Sequence, residues 1–359
     1  MRLYIVTGEP SGDLHAANLV HELKILSSSI NIRAWGGERL IEAGVDLAKN
    51  IRNTAFMGIW DVLKNLNTVK HNLTYCKQDI LEYKPDAIVL VDYPGFNLRI
   101  ARFAKENGIK VFYYISPKVW AWNTSRIRKI RRYVDDLLVI FPFEVDFYKG
   151  HGIQVTYVGN PLLDEISKGD FQFTYKTPKP IIALLPGSRK QEIEAMFPEM
   201  LNLVSDYPKY QFVVAATNTF SKEYYQSFLK GRDVKFVFNE TYGLLSNAKA
   251  AVITSGTASL EAALLKVPQV VCYKTNWITY ILAKKLIKIK FLSLVNILMD
   301  KLVVRELIQT NFNITNLKKE FDVLLDNKED MSIDYNKLSN LLNKKGASKN
   351  VAQFILETI

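Results

Sequence analysis

The stretch SKGDFQFTYKTPKP (residues 167–180), followed by IIALLPGSR (residues 181–189), decides the fold of this 359-residue chain. Its first part is polar and punctuated by Gly and Pro, which reads as a linker. Its second part restarts a rhythm of short apolar run, turn and helical pattern that has already run once. Upstream, apolar runs at 3–6, 87–91, 111–115 and 137–141 alternate with longer helical patterns. Downstream, runs at 181–185, 212–216, 234–238, 251–254 and 269–273 do the same. Such alternation predicts parallel sheets covered by helices on both faces. A chain of this length exceeds one ordinary core, so the sequence predicts an α/β protein with two Rossmann-like domains. The expected divisions are a first domain over 1–166, a linker over 167–180 and a second domain over 181–334. A helical segment rich in Lys and Asn, 335–359, either folds back on the first domain or exchanges with a partner chain.

Composition narrows the partners. The formal charge of +11 calls for an anionic partner, whether nucleic acid, a bilayer or a phosphorylated substrate. Cys76 and Cys272 lack metal-ligand spacing and read as buried reduced thiols. The four histidines are scattered, and no HExxH run, Cys/His cluster or P-loop lysine occurs, so no metal is expected. The N-terminus opens on a strand-like run without a basic leader, which predicts an uncleaved, unsecreted chain. No apolar run approaches the roughly 20 residues that span a bilayer, so membrane contact would be peripheral.

Several strand-to-helix junctions carry chemistry. Gly8-Glu9-Pro10-Ser11-Gly12-Asp13 ends a strand and opens a helix, which suits a ligand loop or simply a tight connection. Leu185-Pro186-Gly187-Ser188-Arg189 offers helix-start N–H groups and a guanidinium that suit a diphosphate. In Thr254-Ser255-Gly256-Thr257-Ala258-Ser259-Leu260-Glu261, Ser255, Gly256 and Thr257 expose N–H groups to an anion. Glu261, a turn further on, can accept from ribose hydroxyls. Asp92, in Val91-Asp92-Tyr93-Pro94-Gly95-Phe96-Asn97, ends a buried strand and is either a general base or a turn cap. Ile59, Leu63, Leu66, Val69 and Leu73 recur at helical spacing beside Trp60, and Tyr280, Ile281 and Phe291 lie among Lys284, Lys285, Lys288 and Lys290. Both stretches face either their own core or a lipid surface.

Taken in order, these junctions, with Phe56-Met57-Gly58, Ser116-Pro117-Lys118-Val119-Trp120-Ala121-Trp122 and the segment 293–309, resemble the lipid-A-disaccharide synthases over nearly the whole chain. The resemblance implies a GT-B fold, two Rossmann-like domains facing a central cleft, with acceptor on the first and UDP on the second. It implies an inverting transfer from UDP-2,3-diacylglucosamine to 2,3-diacylglucosamine 1-phosphate, giving a β(1→6) disaccharide and UDP. It further implies no cofactor, a membrane surface as partner and a location at the inner face of a Gram-negative inner membrane, with a homodimer if the last helix is exchanged. Residue by residue, the base falls on Asp92, the diphosphate arginine on Arg189, the N-terminal loop residues on Ser11 and Asp13, and the nucleotide glutamate on Glu261. An essential asparagine falls on Asn296, with Glu306 and Gln309 closing its segment. The membrane-facing residues are Ile59, Trp60, Leu63 and Leu66.

The chain departs from the family pattern at four places. Gly95 stands where a second aspartate is common, Pro10 replaces an alanine and Val295 a proline, and Met299-Asp300-Lys301 replaces Ala-Gly-Arg. Rival readings are another GT-B enzyme, such as a UDP-sugar epimerase or a cell-wall lipid glycosyltransferase, and a basic nucleic-acid-binding protein. The last lacks any recognisable RNA- or DNA-reading motif, so nucleic acid is not an expected partner.

Overall fold

A computed structural model describes residues 1–51, 66–121, 124–169, 171–277, 280–281, 284, 290–326 and 329–359. The chain forms two compact units, Met1–Pro161 with Lys344–Ile359, and Leu162–Asn343.

The first unit runs β1 (Arg2–Val6), α1 (Pro10–Leu26), β2 (Asn31–Gly36), α2 (Glu38–Glu42), β3 (Asp46–Asn50), α3 (Leu66–Tyr83), β4 (Ala87–Val91) and α4 (Pro94–Glu106). It continues with β5 (Lys110–Tyr114), α5 (Arg126–Tyr133), β6 (Asp136–Val139), α6 (Pro142–Lys149) and β7 (Thr156–Tyr157). Its seven strands are parallel in the order β3-β2-β1-β4-β5-β6-β7. Side chains alternate across the sheet as the pleat demands. Tyr4 and Val6 enter a cluster with Ile88, Leu90 and Tyr113, whereas Leu3 and Ile5 enter one with Val89, Phe112 and α1 residues Leu19 and Leu23.

The second unit contains α7 (Pro161–Ser167) from its second residue onward, then β8 (Ile181–Leu185), α8 (Lys190–Leu201), β9 (Gln211–Ala216), α9 (Lys222–Gln226), β10 (Val234–Phe238) and α10 (Thr241–Asn247). There follow β11 (Ala248–Thr254), α11 (Thr257–Leu264), β12 (Gln269–Tyr273), α12 (Leu294–Met299), β13 (Arg305–Ile308), α13 (Ile314–Asp326) and α14 (Glu329–Leu341). Six parallel strands lie in the order β10-β9-β8-β11-β12-β13.

Two boundaries differ from expectation. Residues 171–180 belong to the second unit rather than forming a loose linker: Phe173 and Tyr175 pack against its core, and Thr174 donates from its N–H and Oγ1 to Glu240 at 2.7 and 2.8 Å. The final segment divides. Tyr335 on α14 is buried in the second unit and receives a hydrogen bond from Gln269 Nε2 at 3.1 Å. By contrast, α15 (Ala347–Thr358) returns to the first unit and buries Val351, Ala352 and Ile355 against α1.

Of the amphipathic stripe in 56–73, Leu73 packs on the first unit's core and Val69 is half-buried. Phe56-Met57-Gly58, Ile59, Trp60, Leu63 and the Leu66 side chain lie outside the described residues, as do Trp122, Lys285 and Lys288. Trp277 is 56% exposed, with the Tyr280 ring 5.6 Å away. Among the described residues no helix is long and apolar enough to cross a membrane.

Candidate functional site

Each sheet reverses its strand order once, between β1 and β4 in the first unit and between β8 and β11 in the second. At such a reversal the loops leaving the two central strands diverge to opposite faces and open a crevice at the carboxyl edge. The loops singled out by sequence are these four: Gly8 to Asp13 after β1, Asp92 to Asn97 after β4, Pro186 to Arg189 after β8, and Ser255 to Thr257 after β11.

In the first unit, Asp92 and Tyr93 both have φ +47, two consecutive left-handed residues that are not glycine. That conformation costs on the order of 1–3 kcal/mol for each residue and persists only where surroundings enforce it. The enforcement is visible. Asp92 N donates to Tyr114 O at 3.1 Å, and its carbonyl accepts from Tyr113 Oη at 2.6 Å and Asn97 Nδ2 at 2.8 Å. Buried Asn97 also reaches Val6 O and Val91 O, tying β1 to β4. The Tyr93 ring lies so close to Gly8 that a Cβ there would sit 2.2 Å from it. Burial pushes the Asp92 carboxyl up to about 6, reinforced by Glu9 and opposed by Lys118 and Arg126. A group so placed stays largely ionised at neutral pH and accepts a proton more readily than an ordinary aspartate. Sequence reasoning assigned no role to Asn97, Tyr113 or Glu9: Tyr113 on β5 and Glu9 after β1 reach Asp92 only because their strands flank β4, and Asn97 does so only because the left-handed turn folds its amide back.

Ser11 is exposed in the first turn of α1, at this same edge. Asp13 is buried and occupied. Its Oδ1 accepts from Gly37 N at 2.6 Å and its Oδ2 from Arg39 N at 2.9 Å, so it caps α2 from a neighbouring helix. Burial raises its pKa, and these backbone donors counter the rise. Trp120 Nε1 donates to Glu144 at 3.2 Å, and burial pushes that carboxyl up to about 7.

In the second unit, Arg189 is the residue before α8, with its side chain 55% exposed. The N–H groups of Ser188 and Arg189 donate to Glu192, at 3.1 and 3.3 Å, so the helix start is capped by its own chain rather than left for an anion. The loop also presents the exposed guanidinium to an anion, held 3.4 Å from the other Glu192 oxygen. Gly187, at φ +108, is required by the turn itself, since a Cβ would meet Glu192 at 2.6 Å. Gly256 is the opposite case. Its φ of 167° is ordinary extended backbone, and a Cβ there would meet nothing within 4 Å, so the fold does not explain the glycine. Glu261, in the second turn of α11, has Tyr242 Oη at 3.5 Å, and burial pushes it up to about 7.

Asn296, Glu306 and Gln309 are held by the chain. Asn296 is fully buried on α12, Glu306 on β13 accepts from Leu292 N and Ser293 N, and Gln309 pairs with the backbone of Thr275 through both amide atoms. Asp300, where the family pattern has glycine, caps α12 at φ +44, a conformation Asp tolerates better than most residues. Among the described residues no group of His, Cys, Asp and Glu is arranged to hold a metal ion, and both cysteines are free and buried.

Two parallel sheets, each gathering its loops at its own strand-order reversal, define a two-domain α/β protein of the GT-B class. The fold is shared with the UDP-GlcNAc 2-epimerase of Neisseria meningitidis bound to UDP-GlcNAc (TM-score 0.70, 14% identity, 100% of both chains). It is shared too with the glycotransferase of kitacinnamycin (TM-score 0.67, 13% identity, 99% and 98%). Within that class the chain belongs to the lipid-A-disaccharide synthetase family, whose model matches residues 3–358. It is 37% identical to lipid-A-disaccharide synthase 1 of Legionella pneumophila strain Lens, across 97% of this chain and 94% of that one. With the lipid-A-disaccharide synthase of Coxiella burnetii strain CbuG_Q212 it shares 36%, across 98% and 96%.

Proposed function

We propose that this chain condenses UDP-2,3-diacylglucosamine with 2,3-diacylglucosamine 1-phosphate, forming the β(1→6) disaccharide 1-phosphate and releasing UDP. The observation that carries the reading is Asp92: a strained, burial-tuned carboxylate at the first unit's strand-order reversal, in a chain that matches this family end to end. The acceptor hydroxyl attacks the donor's anomeric carbon from the face opposite UDP, and its proton passes to Asp92 as the new C–O bond forms. The bond to UDP breaks with its electron pair leaving on the diphosphate, where Arg189 neutralises the developing charge. Ser255, Gly256 and Thr257 approach the diphosphate, and Glu261 accepts from ribose. Ser11 stands at the acceptor edge, whereas Asp13 serves by holding α2.

The test is product analysis with purified protein and both acylated substrates, with and without chelator. Disaccharide in both arms supports the reading, and a UDP-sugar changed only at C2 would replace it with an epimerase. We further assign peripheral binding at the inner face of a Gram-negative inner membrane to Ile59, Trp60, Leu63 and Leu66, aided by the +11 charge. Replacing all four with serine should reduce co-sedimentation with anionic liposomes at least several-fold while UDP binding persists. Unchanged sedimentation removes this face, and loss of folding assigns it to the core.

A further inference from the structure

Glu306 and Asn296 stand ten residues apart, and together they shape the turn that leads into α12. Each hydrogen-bonding position of the Asn296 amide is filled by the chain. Nδ2 donates to Val304 O and Glu306 Oε1, both at 2.8 Å, and Oδ1 accepts from Val303 N at 2.8 Å and Val304 N at 2.9 Å. Glu306 Oε1 also accepts from Leu292 N at 3.1 Å and Ser293 N at 2.8 Å, and Oε2 from Leu292 N at 2.9 Å. The turn so fixed meets the loop after β11: Ser255 Oγ donates to Leu292 O at 3.3 Å, while Ser255 N is anchored to Cys272 O at 2.9 Å. An asparagine that bound a sugar would have to release one of these buried partners, leaving it unsatisfied.

We propose that Asn296 and Glu306 are positioning residues, which set the Leu292–Ser293 turn and through it Ser255, and which touch neither substrate. The inference rests on the reading of Ser255 to Thr257 as the diphosphate loop. It differs from a substrate-contact role in what it expects of mutants. Asn296→Ala releases the turn, so UDP and the UDP-sugar donor lose affinity by the same factor, about tenfold. Ser255→Ala added to Asn296→Ala changes little further, because both act on one connection.

The experiment combines calorimetric titration of UDP and of the donor with amide hydrogen exchange, on parent, Asn296→Ala, Ser255→Ala and the double variant. Expected are equal losses for both ligands, a non-additive pair and faster exchange at Leu292 and Ser293. Three results overturn the proposal: a loss confined to the donor, which means contact with its sugar; additive losses; or unchanged exchange at Leu292 and Ser293. If Asn296→Ala does not fold, Glu306→Gln takes its place, since it keeps the shape while putting an amide where Oε1 or Oε2 accepted. If the parent binds no UDP, the diphosphate-loop reading falls, and the exchange data still decide whether Asn296 holds the turn.

Discussion

At Asp92 the proposed role as base carries a cost in stability. Its folded-state carboxyl is raised, so the ionised form is less at home in the protein than in the unfolded chain. The penalty is absent near pH 4 and below, grows as pH rises through about 6, and is complete above it. Asn tolerates the same left-handed backbone and carries no charge. Asp92→Asn should therefore be more stable than the parent at pH 8 by about 3 kcal/mol, the two converging near pH 4, while turnover falls roughly 10²-fold or more. Thermal melts at both pH values and a rate assay check this, and retained turnover removes Asp92 as the base. In the parent, turnover should drop about tenfold per pH unit below 6, as the base is protonated. At Gly256 neither backbone angle nor packing demands glycine. Gly256→Ala should fold with an unchanged melting temperature yet bind UDP at least tenfold more weakly; unchanged binding would take the diphosphate away from this loop.

Among elements, the segment 171–180 shows how a local reading goes astray. Its Lys, Thr and Pro content reads as linker, but Phe171, Phe173 and Tyr175 alternate with polar residues, a strand-like period whose apolar side meets α10. The fit depends on Gly243, where a Cβ would lie 2.0 Å from Gln172 O. Helix propensity alone favours Gly243→Ala by up to about 1 kcal/mol. The backbone clash is larger, so the variant should lose about 1–3 kcal/mol and expose 171–177 to protease. A stabilised variant would show that the segment is loosely held. Strands β2, β3, β7 and β13 went unread for a related reason. β3 and β13 are edges, β7 has two residues, and β2 carries Arg33, which Asp79 satisfies at 2.7 Å from α3. No short window of sequence contains both partners of that ion pair.

At the scale of the whole molecule, the chain leaves the first unit, builds the second and returns. α15 buries Val351 and Ile355 against the first unit, a gross contribution of about 1.5–3 kcal/mol each, and Asn350 Nδ2 reaches Val158 O at 2.8 Å. Deleting 344–359 should lower the first unit's melting temperature and separate it from the second in calorimetry, with UDP binding kept; a single unshifted transition would show that the return is dispensable. The restart of the strand and helix rhythm at Ile181, the parallel sheets and the loops that join strand ends to helices were all legible in sequence. Each is written in residues a few positions apart, where periods of two and of 3.6 and the glycines of turns express themselves. The tertiary structure alone decided that α14 and α15 part company, that β1 and β4 flank the first reversal, and that Asp13, Asn296 and Glu306 spend their polar atoms on the chain. Those outcomes turn on hydrogen-bond partners brought together by packing, and each bond made within the fold takes up donor or acceptor capacity that a ligand would otherwise meet.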